Sequence, residues 1–258
     1  MTRTWLTGTF LLLFSTVSFA QREYYKRIDN IGRPEKRVTT FYDPDYKKVK
    51  EIYFITTQPD TLVVGQYRKF YPSGKPEVVA KFVKGKPDSI YTEKYENGQV
   101  RLLVQYQDGV KHGKFQSFHP NGKPLQEGAY ENGQQSNLIR TFYDNGQPKM
   151  EAAFINGFPE GLMKEFYPNG KLKSEIMYKN NQQNGVAKTY FDNGQLETEA
   201  LYLNGMIDSY YKTYYDNGKL KSEAERDKNG KGGSYKSYYR SGGLETEGTY
   251  KSIVLEKP

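Results

Sequence analysis

The stretch YFDNGQLETEALYLNG, residues 190–205, holds an Asn-Gly pair between two runs in which polar and apolar residues alternate. Nearly the same phrase stands 24 residues earlier, as FYPNGKLKSEIMYKNN at 166–181, and 24 residues later, as YYDNGKLKSEAERDKNG at 214–230. Alternation with a period of two is typical of β-strands, and Asn-Gly between two such runs favours a β-hairpin. The recurrence at a fixed distance therefore predicts an array of hairpins.

A glycine turn preceded by aromatic residues occurs eight times at a constant spacing of 24 residues. The turn glycines are Gly74, Gly98, Gly122, Gly146, Gly170, Gly194, Gly218 and Gly242. Self-similarity at such a period is typical of solenoids and repeat arrays. A second Gly-containing turn, as at Gly109 and Gly205, joins each hairpin to the next.

The register of each hairpin follows if its turn has two residues, Asn193 and Gly194 in the first quoted stretch, both with positive φ. Lys188 then faces Glu199. The same offset pairs Arg140 with Glu151, Lys164 with Glu175, Lys212 with Glu223 and Lys236 with Glu247. Opposite-charge pairs stabilise a hairpin by about 0.2–1 kcal/mol each. A bulged three-residue turn would place each lysine opposite Ser or Thr, so we favour the two-residue turn.

The alternation also assigns side chains to two faces of the sheet. One face is expected to carry the more apolar set, which in two successive repeats is Tyr167, Leu172, Ile176, Tyr178 and then Phe191, Leu196, Ala200, Tyr202. The opposite face carries the Lys–Glu rows and the first aromatic residue of each pair, such as Phe166 and Tyr190. The predicted fold class is all-β, an elongated antiparallel β-hairpin array with two strands per repeat. At about 4.8 Å per strand, eight repeats extend roughly 75–80 Å.

The chain divides into four predicted segments. Residues 1–20 form a signal peptide, residues 21–69 an irregular N-terminal cap with a degenerate repeat, residues 70–250 the eight repeats, and residues 251–258 a C-terminal tail. In the cap, the insert TTQPDT breaks the phase of the repeat. In the tail, Ile253-Val254-Leu255 is a short apolar run that is expected to cover the last sheet edge.

The N-terminal sequence indicates export. Arg3 precedes an apolar run from Trp5 to Phe14, and Ser18-Phe19-Ala20 supplies small residues at the positions that a signal peptidase reads. The alternative, a membrane anchor, needs roughly 20 apolar residues, about twice the length of this run. We therefore expect a periplasmic, cell-surface or secreted protein, and the absence of cysteine excludes disulfides and thiolate chemistry.

Composition indicates a half-exposed β surface rather than a thick core. The chain has 24 Tyr and 14 Phe but only 36% hydrophobic residues. Disordered chains are poor in aromatic residues, which argues against disorder. The net charge is +8, but the basic residues are not clustered as in a nucleic-acid-binding protein, and export also argues against such a partner.

The pattern YxNGxLxxExxYxxG at 167–181 and 191–205 resembles the MORN-repeat variant, which is also found in chains assigned to the YwqK-like antitoxin family. The resemblance covers residues 70–250 and, weakly, 41–69. It implies a β-hairpin array that serves as a protein- or lipid-binding scaffold and has no catalysis of its own.

The residues that could carry chemistry favour structural interpretations. His119 stands where other repeats have Tyr or Phe, and His112 has no second His or Cys near it, so we predict no metal site and no cofactor. The glutamates of the Lys–Glu rows face basic residues, which keeps them ionised, whereas a general acid needs a raised pKa. We therefore predict no enzymatic activity and assign these rows to a structural ladder.

The aromatic rows are the candidate binding surface. Their members are Tyr143, Tyr167, Phe191, Tyr215 and Tyr239, together with Phe166, Tyr190 and Tyr214. Tyr is enriched in protein recognition sites, and repeat arrays act through extended faces. The favoured function is an exported scaffold for protein–protein interaction at the cell envelope. The alternatives are an antitoxin or immunity protein that binds a toxin, and a peripheral module that binds anionic lipid or glycan.

Overall fold

The computed structural model describes residues 25–32, 34–227 and 232–251. Within these ranges the chain forms one antiparallel sheet, and each strand pairs with its neighbours in sequence. The first ten strands are β1 Lys26–Asn30, β2 Lys36–Phe41, β3 Val49–Ile55, β4 Val63–Phe70, β5 Pro76–Val83, β6 Lys86–Lys94, β7 Val100–Gln107, β8 Val110–Phe118, β9 Pro124–Glu131 and β10 Gln134–Phe142.

The remaining ten strands continue the sheet to the C-terminal end of the described chain. They are β11 Pro148–Ile155, β12 Phe158–Pro159, β13 Gly161–Phe166, β14 Leu172–Lys179, β15 Gln182–Tyr190, β16 Leu196–Leu203, β17 Met206–Tyr214, β18 Leu220–Arg226, β19 Gly232–Tyr238 and β20 Leu244–Lys251. The short β12 and the longer β13 both pair with β11 and form one interrupted strand. The predicted all-β array of hairpins is confirmed.

The turn after each aromatic pair, which we call the aromatic turn, differs from the expected two-residue type. The amide of Gly194 donates to the carbonyl of Phe191, and the amide of Phe191 donates to the carbonyl of Gln195, both over 2.8 Å. Gly194 has a φ of 95°, while Asn193 is not among the residues with positive φ. The loop therefore has three residues, a type I turn followed by a left-handed glycine, and the two-residue prediction was wrong.

The predicted Lys–Glu register is nevertheless correct, because a second irregularity compensates for the longer turn. Tyr190 pairs with Leu196 and Thr189 pairs with Thr198, so Glu197 forms a β-bulge between them. Beyond this bulge Lys188 faces Glu199. The same shift follows the aromatic turn of every other repeat.

The two-residue turn with two positive φ values occurs at the other end of the hairpins, in what we call the linker turn. Asn204 and Gly205 have φ values of 51° and 82° and lie between the paired residues Leu203 and Met206. Asn180 and Asn181 have φ values of 51° and 61° in the equivalent turn, which confirms that Asn can replace the glycine there. The two kinds of Asn-Gly turn thus alternate along the array.

One face of the sheet, which we call the inner face, holds most of the core. Ala187 pairs with Ala200, and both are buried. The equivalent positions in earlier repeats hold larger buried residues, and Val104, Phe115 and Ile139 form one cluster there. Gly128 lies in this row without a side chain, and a Cβ at this position would approach Ile139 Cδ1 to 2.3 Å. Small and large residues therefore fit together along the inner face.

The opposite face, which we call the outer face, carries the Lys–Glu pairs as predicted. The bulge changes one part of the face assignment, however. Leu172 pairs with Phe166, and Leu196 pairs with Tyr190. Directly opposed residues of an antiparallel pair lie on the same face, so these leucines belong to the outer face. Their expected position beside Ile176 and Ala200 was wrong, because simple alternation does not survive the extra residue.

The segment before the eight repeats also belongs to the sheet. Strands β2 and β3 form a hairpin with the same bulge, between Thr40 and Phe41. Its core consists of Val38, Tyr53 and Ile55. The boundary of the proposed cap remains a prediction, and the proposed signal peptide and the apolar tail lie outside the described residues.

Candidate interaction surface

A continuous row of alternating charges crosses the outer face. The register joins each cation to a glutamate on both neighbouring strands, in the order Glu127, Arg140, Glu151, Lys164, Glu175, Lys188, Glu199, Lys212, Glu223, Lys236, Glu247. We call this row the charge ladder. The sequence prediction paired charges only within hairpins, and the pairs between hairpins extend the ladder across β9 to β20.

Several rungs of the ladder form close ion pairs. Arg140 bridges two glutamates, with Nε 3.1 Å from Glu151 Oε1 and an NH1 nitrogen 3.4 Å from Glu127 Oε1. Further along, the lysine Nζ atoms lie 3.5–3.9 Å from the carboxylate oxygens of the opposed glutamates, in the pairs Lys164–Glu175, Lys188–Glu199 and Lys212–Glu223. The predicted opposition of charges is confirmed at these four hairpins, and the fifth pair, Lys236 and Glu247, is aligned in register.

A row of aliphatic side chains runs beside the charge ladder on the outer face. Leu138, Leu162 and Val186 each precede a ladder cation by two residues, and Met177 follows a ladder glutamate by two. These four side chains are 39–42% exposed. The charge ladder is therefore flanked by apolar surface that remains open to solvent.

The first aromatic residue of each repeat lies on the other side of the charge ladder. The hydroxyl of Tyr190 donates to Glu175 over 3.2 Å, and that of Tyr238 donates to Glu223 over 2.8 Å. Burial raises the pKa of Tyr190, and the neighbouring Glu175 raises it further. These tyrosines are hydrogen-bonded to the ladder, while Phe166 packs at the equivalent position without a hydroxyl.

The second aromatic residue of each repeat connects neighbouring repeats. The hydroxyl groups of Tyr143, Tyr167 and Tyr215 donate to the backbone carbonyls of Phe166, Tyr190 and Tyr238, over 2.7–2.9 Å. Tyr42, Tyr71 and Tyr95 make the same bond near the N-terminus. We call this series the tyrosine ladder. These candidate binding residues thus also hold the array together, and their binding role remains a prediction.

Three positions of the tyrosine ladder depart from the pattern. His119 replaces tyrosine, and its Nε2 lies 3.2 Å from the carbonyl oxygen of Phe142. Phe191 fills the position without a hydroxyl group. Tyr239 belongs to the last repeat and is 53% exposed. His119 therefore takes the place of an aromatic residue on the sheet, as the sequence predicted.

The asparagines of the aromatic turns make a second connection between repeats, which the sequence reasoning missed. Asn193 Oδ1 accepts a hydrogen bond from the backbone amide of Gln195 over 2.8 Å, and its Nδ2 donates to the carbonyl of Asp216 over 2.7 Å. Asn97, Asn121, Asn145 and Asn217 donate to the following repeat in the same way. The signal in the sequence was the invariance of this Asn among most repeats, which we attributed to the turn alone.

The described residues show few features of a catalytic or metal site. No group of three or more His, Cys, Asp or Glu residues in this part of the chain is arranged to hold a metal ion. His112 lines a shallow surface depression beside Asp88 and Gln105. The same ranges contain no helix with the length and apolarity needed to cross a bilayer.

Comparison with known proteins identifies the repeat. The family model described as MORN repeat variant matches residues 87–108, 111–132, 159–180, 183–204, 208–228 and 231–252, about half of the chain. The chain belongs to the MORN repeat variant family. In this MORN repeat protein each match begins near the linker turn and contains one aromatic turn, so the family unit corresponds to one hairpin with its aromatic turn.

Other comparisons add little to the family assignment. No curated protein matches this MORN repeat protein. Similar solved structures include TcdB2-TccC3 without its hypervariable C-terminal region, with 11% identity and a TM-score of 0.22 over 85% of this chain and 14% of that chain. TcdB2-TccC3-TEV matches with 11% identity and a TM-score of 0.24 over 80% of this chain and 12% of that chain. The chain thus spans about one seventh of these proteins, and such low TM-scores carry no functional information.

Proposed function

We propose that this MORN repeat protein is an exported, non-enzymatic scaffold that binds a protein partner at the cell envelope through its outer face. The observation that carries the proposal is the row of half-exposed aliphatic side chains, Leu138, Leu162, Val186 and Met177, beside the charge ladder. Apolar surface in contact with charged and aromatic residues is a composition that protein interfaces use. Export rests on the N-terminal sequence.

The charges of the outer face favour a protein over an anionic lipid surface. Each cation of the charge ladder lies between two glutamates, so its positive charge is neutralised within the sheet. A polybasic lipid-binding surface needs lysines or arginines whose charge is not compensated locally. A toxin, as in the YwqK-like proteins, is one class of protein partner that this surface would accommodate.

The proposal is tested by affinity capture from envelope extracts with the chain from residue 21 onward as bait. We expect one protein to be captured by the wild type and lost with Val186→Lys, which puts a charge on the aliphatic row. Val79→Lys is the matched control, because Val79 is also an outer-face strand valine, with 38% exposure, but lies on β5, before the charge ladder begins. Capture that both variants retain would contradict a role for the outer face. Binding to anionic vesicles that salt abolishes would favour the lipid alternative.

A further inference from the structure

The charge ladder has a symmetry that bears on the identity of the partner. Its members alternate in sign from strand to strand without a break, from Glu127 on β9 to Glu247 on β20. Adjacent strands lie about 4.8 Å apart, so a docking surface with the opposite alternation must repeat at the same interval. The outer face of a second copy of this chain has that interval, that alternation and that length.

We propose that two copies of this protein dock outer face to outer face around a two-fold axis that is parallel to the strands and passes between β14 and β15. This axis lies between the ladder neighbours Glu175 and Lys188. A residue on the nth strand to one side of the axis then faces the residue of the other copy that lies on the nth strand to the other side of the axis. Because the axis falls between strands, the two facing residues always have opposite charges. An axis through a strand would oppose like charges along the whole ladder.

Ten of the eleven members of the charge ladder are matched by the axis between β14 and β15. It opposes Glu175 with Lys188, Lys164 with Glu199, Glu151 with Lys212, Arg140 with Glu223 and Glu127 with Lys236, each residue facing its counterpart in the other copy. The axis between β15 and β16 also matches ten members, from Arg140 to Glu247, but it places Leu162 opposite Glu225. The aliphatic row therefore favours the axis between β14 and β15, around which the ten residues from Glu127 to Lys236 are matched.

On β13 to β16, the four strands nearest the axis, the flanking rows also match. A two-fold axis parallel to the strands keeps the two ends of the strands in place, so the aliphatic row of one copy meets the aliphatic row of the other. Val186 then faces Met177, and Leu162 faces Leu201. On the aromatic side Tyr190 faces Leu172, and Phe166 faces Leu196. Apolar side chains that are half-exposed in the single copy thus become covered in the pair.

The ten matched strands set the largest area that the pair can bury. Ten strands at about 4.8 Å, each contributing about five residues of roughly 3.4 Å, give an area of about 800 Å² per copy. Standard protein–protein interfaces bury about this much on each partner. Twisted sheets that pack face to face keep their strands within about 30° of each other, so contact is closest near the axis. The interaction therefore depends most on β13 to β16.

This inference rests on the proposed role of the outer face in protein binding, and its test uses only the purified chain. Lys188→Glu opposes Glu175 of the other copy with a glutamate, and Glu175→Lys opposes Lys188 of the other copy with a lysine. Like charges in contact are strongly unfavourable, so each variant alone is expected to dimerise at least about 30-fold more weakly than the wild type by sedimentation equilibrium.

An equimolar mixture of the two variants provides the decisive measurement. In the mixed pair Glu175 of one copy faces the native Lys188, and the introduced glutamate faces the introduced lysine. Both contacts at the axis are then attractive, and the mixture is expected to regain dimerisation to within about threefold of the wild type. A merely structural role for either residue predicts no such recovery. If the mixture dimerises no better than its components, the proposed axis is wrong.

Val186→Lys tests the part of the outer face near the proposed axis without altering the charge ladder, and Val79→Lys, on β5, is its control. Val186→Lys is expected to weaken dimerisation at least about 10-fold and Val79→Lys to leave it unchanged, with circular dichroism confirming that both variants fold. A wild-type chain that stays monomeric up to about 100 µM, or a dimer that Val186→Lys does not weaken, would overturn the inference. If envelope capture then still depends on Val186, the proposed function stands and the occupant of the outer face is a different protein.

Discussion

Hydrogen bonds from individual side chains connect neighbouring repeats. Tyr143, Tyr167 and Tyr215 each place one hydroxyl on a carbonyl of the next hairpin, and Asn193 places an amide on the next aromatic turn. In a single-layer sheet the aliphatic core is thin, so these hydrogen bonds make up a larger share of the contacts between repeats than they would in a globular domain. The aromatic and asparagine positions of the repeat therefore have a structural reason to recur.

Substitutions that remove or add a single hydroxyl group test the tyrosine ladder. Tyr167→Phe removes the bond to the carbonyl of Tyr190 and is expected to lower the free energy of unfolding by about 1 kcal/mol. Phe191→Tyr adds a hydroxyl at the equivalent position one repeat later and is expected to raise it by up to about 1 kcal/mol. Urea denaturation measures both changes. Equal effects of the two substitutions in the same direction would contradict the role of the hydroxyl.

Because of tyrosines on the inner face, the free energy of unfolding is expected to depend on pH in the alkaline range. Burial raises the pKa of Tyr67, and Glu51, which accepts a hydrogen bond from its hydroxyl over 2.9 Å, raises it further. Burial likewise raises the pKa of Tyr91. The folded-state pKa values of both tyrosines exceed the unfolded value of about 10. The contribution of the two neutral tyrosines to the free energy of unfolding is therefore fully present below about pH 10 and is lost as the pH rises through the folded-state values.

The expected result is a free energy of unfolding that is level between about pH 8 and 9 and falls above about pH 10. Urea titrations at a series of pH values measure it. Tyr67→Phe serves as the control and is expected to make the alkaline decline shallower. A decline of unchanged slope in this variant would show that Tyr67 is not responsible.

At the scale of the hairpin, the sequence was sufficient for the period, the strands and the pairing of charges. It was not sufficient for the turns, because two Asn-Gly pairs of the same repeat adopt different conformations. Asn193 takes a conformation without positive φ, in which its amide reaches Asp216 of the next repeat, whereas Asn204 has a φ of 51°. Contacts between repeats make this choice, and a pattern read within one repeat does not contain them.

The candidate surface was predictable to a similar degree. The pairs such as Lys188 with Glu199 followed from a fixed offset, but the wrong turn length and the unforeseen bulge at Glu197 cancelled each other. The position of Leu196 on the outer face depends on that bulge and was missed. The pairing of Glu175 with Lys188 joins two hairpins, and its register depends on the linker turn together with an irregularity between Ile176 and Tyr178.

Gly194, in an aromatic turn, is expected to be needed for its backbone conformation alone. Gly194 has a φ of 95°, and a Cβ there would meet no atom within 4 Å. Gly194→Ala is therefore expected to lower the free energy of unfolding by about 1–2 kcal/mol through backbone strain without any clash. Gly243→Ala is the matched control, since Gly243 has equal space and no positive φ, and it is expected to be neutral or slightly stabilising. Urea denaturation that ranks the two variants equally would contradict this explanation.

At the scale of the whole molecule, each hairpin contacts mainly its two neighbours, so the described chain has no central core around which it could become compact. A compact protein of 258 residues would have a radius of gyration of about 18 Å. We expect small-angle scattering of the Val186→Lys variant to give a clearly larger radius and the profile of an elongated particle. The variant is chosen so that self-association does not contribute. A radius near about 18 Å would contradict the elongated array.

The tyrosine ladder points in one direction along the chain. Each hydroxyl reaches forward to a carbonyl of the next repeat, 23 residues later from Tyr143 to Phe166 and 28 residues later from Tyr42 to Phe70. A newly synthesised repeat therefore lacks its acceptor until the following repeat has emerged, and each addition completes the contacts of the one before it. Assembly of this protein during synthesis is therefore directional. The most recently synthesised repeat has the fewest completed contacts, and each repeat is stabilised when the next one is added.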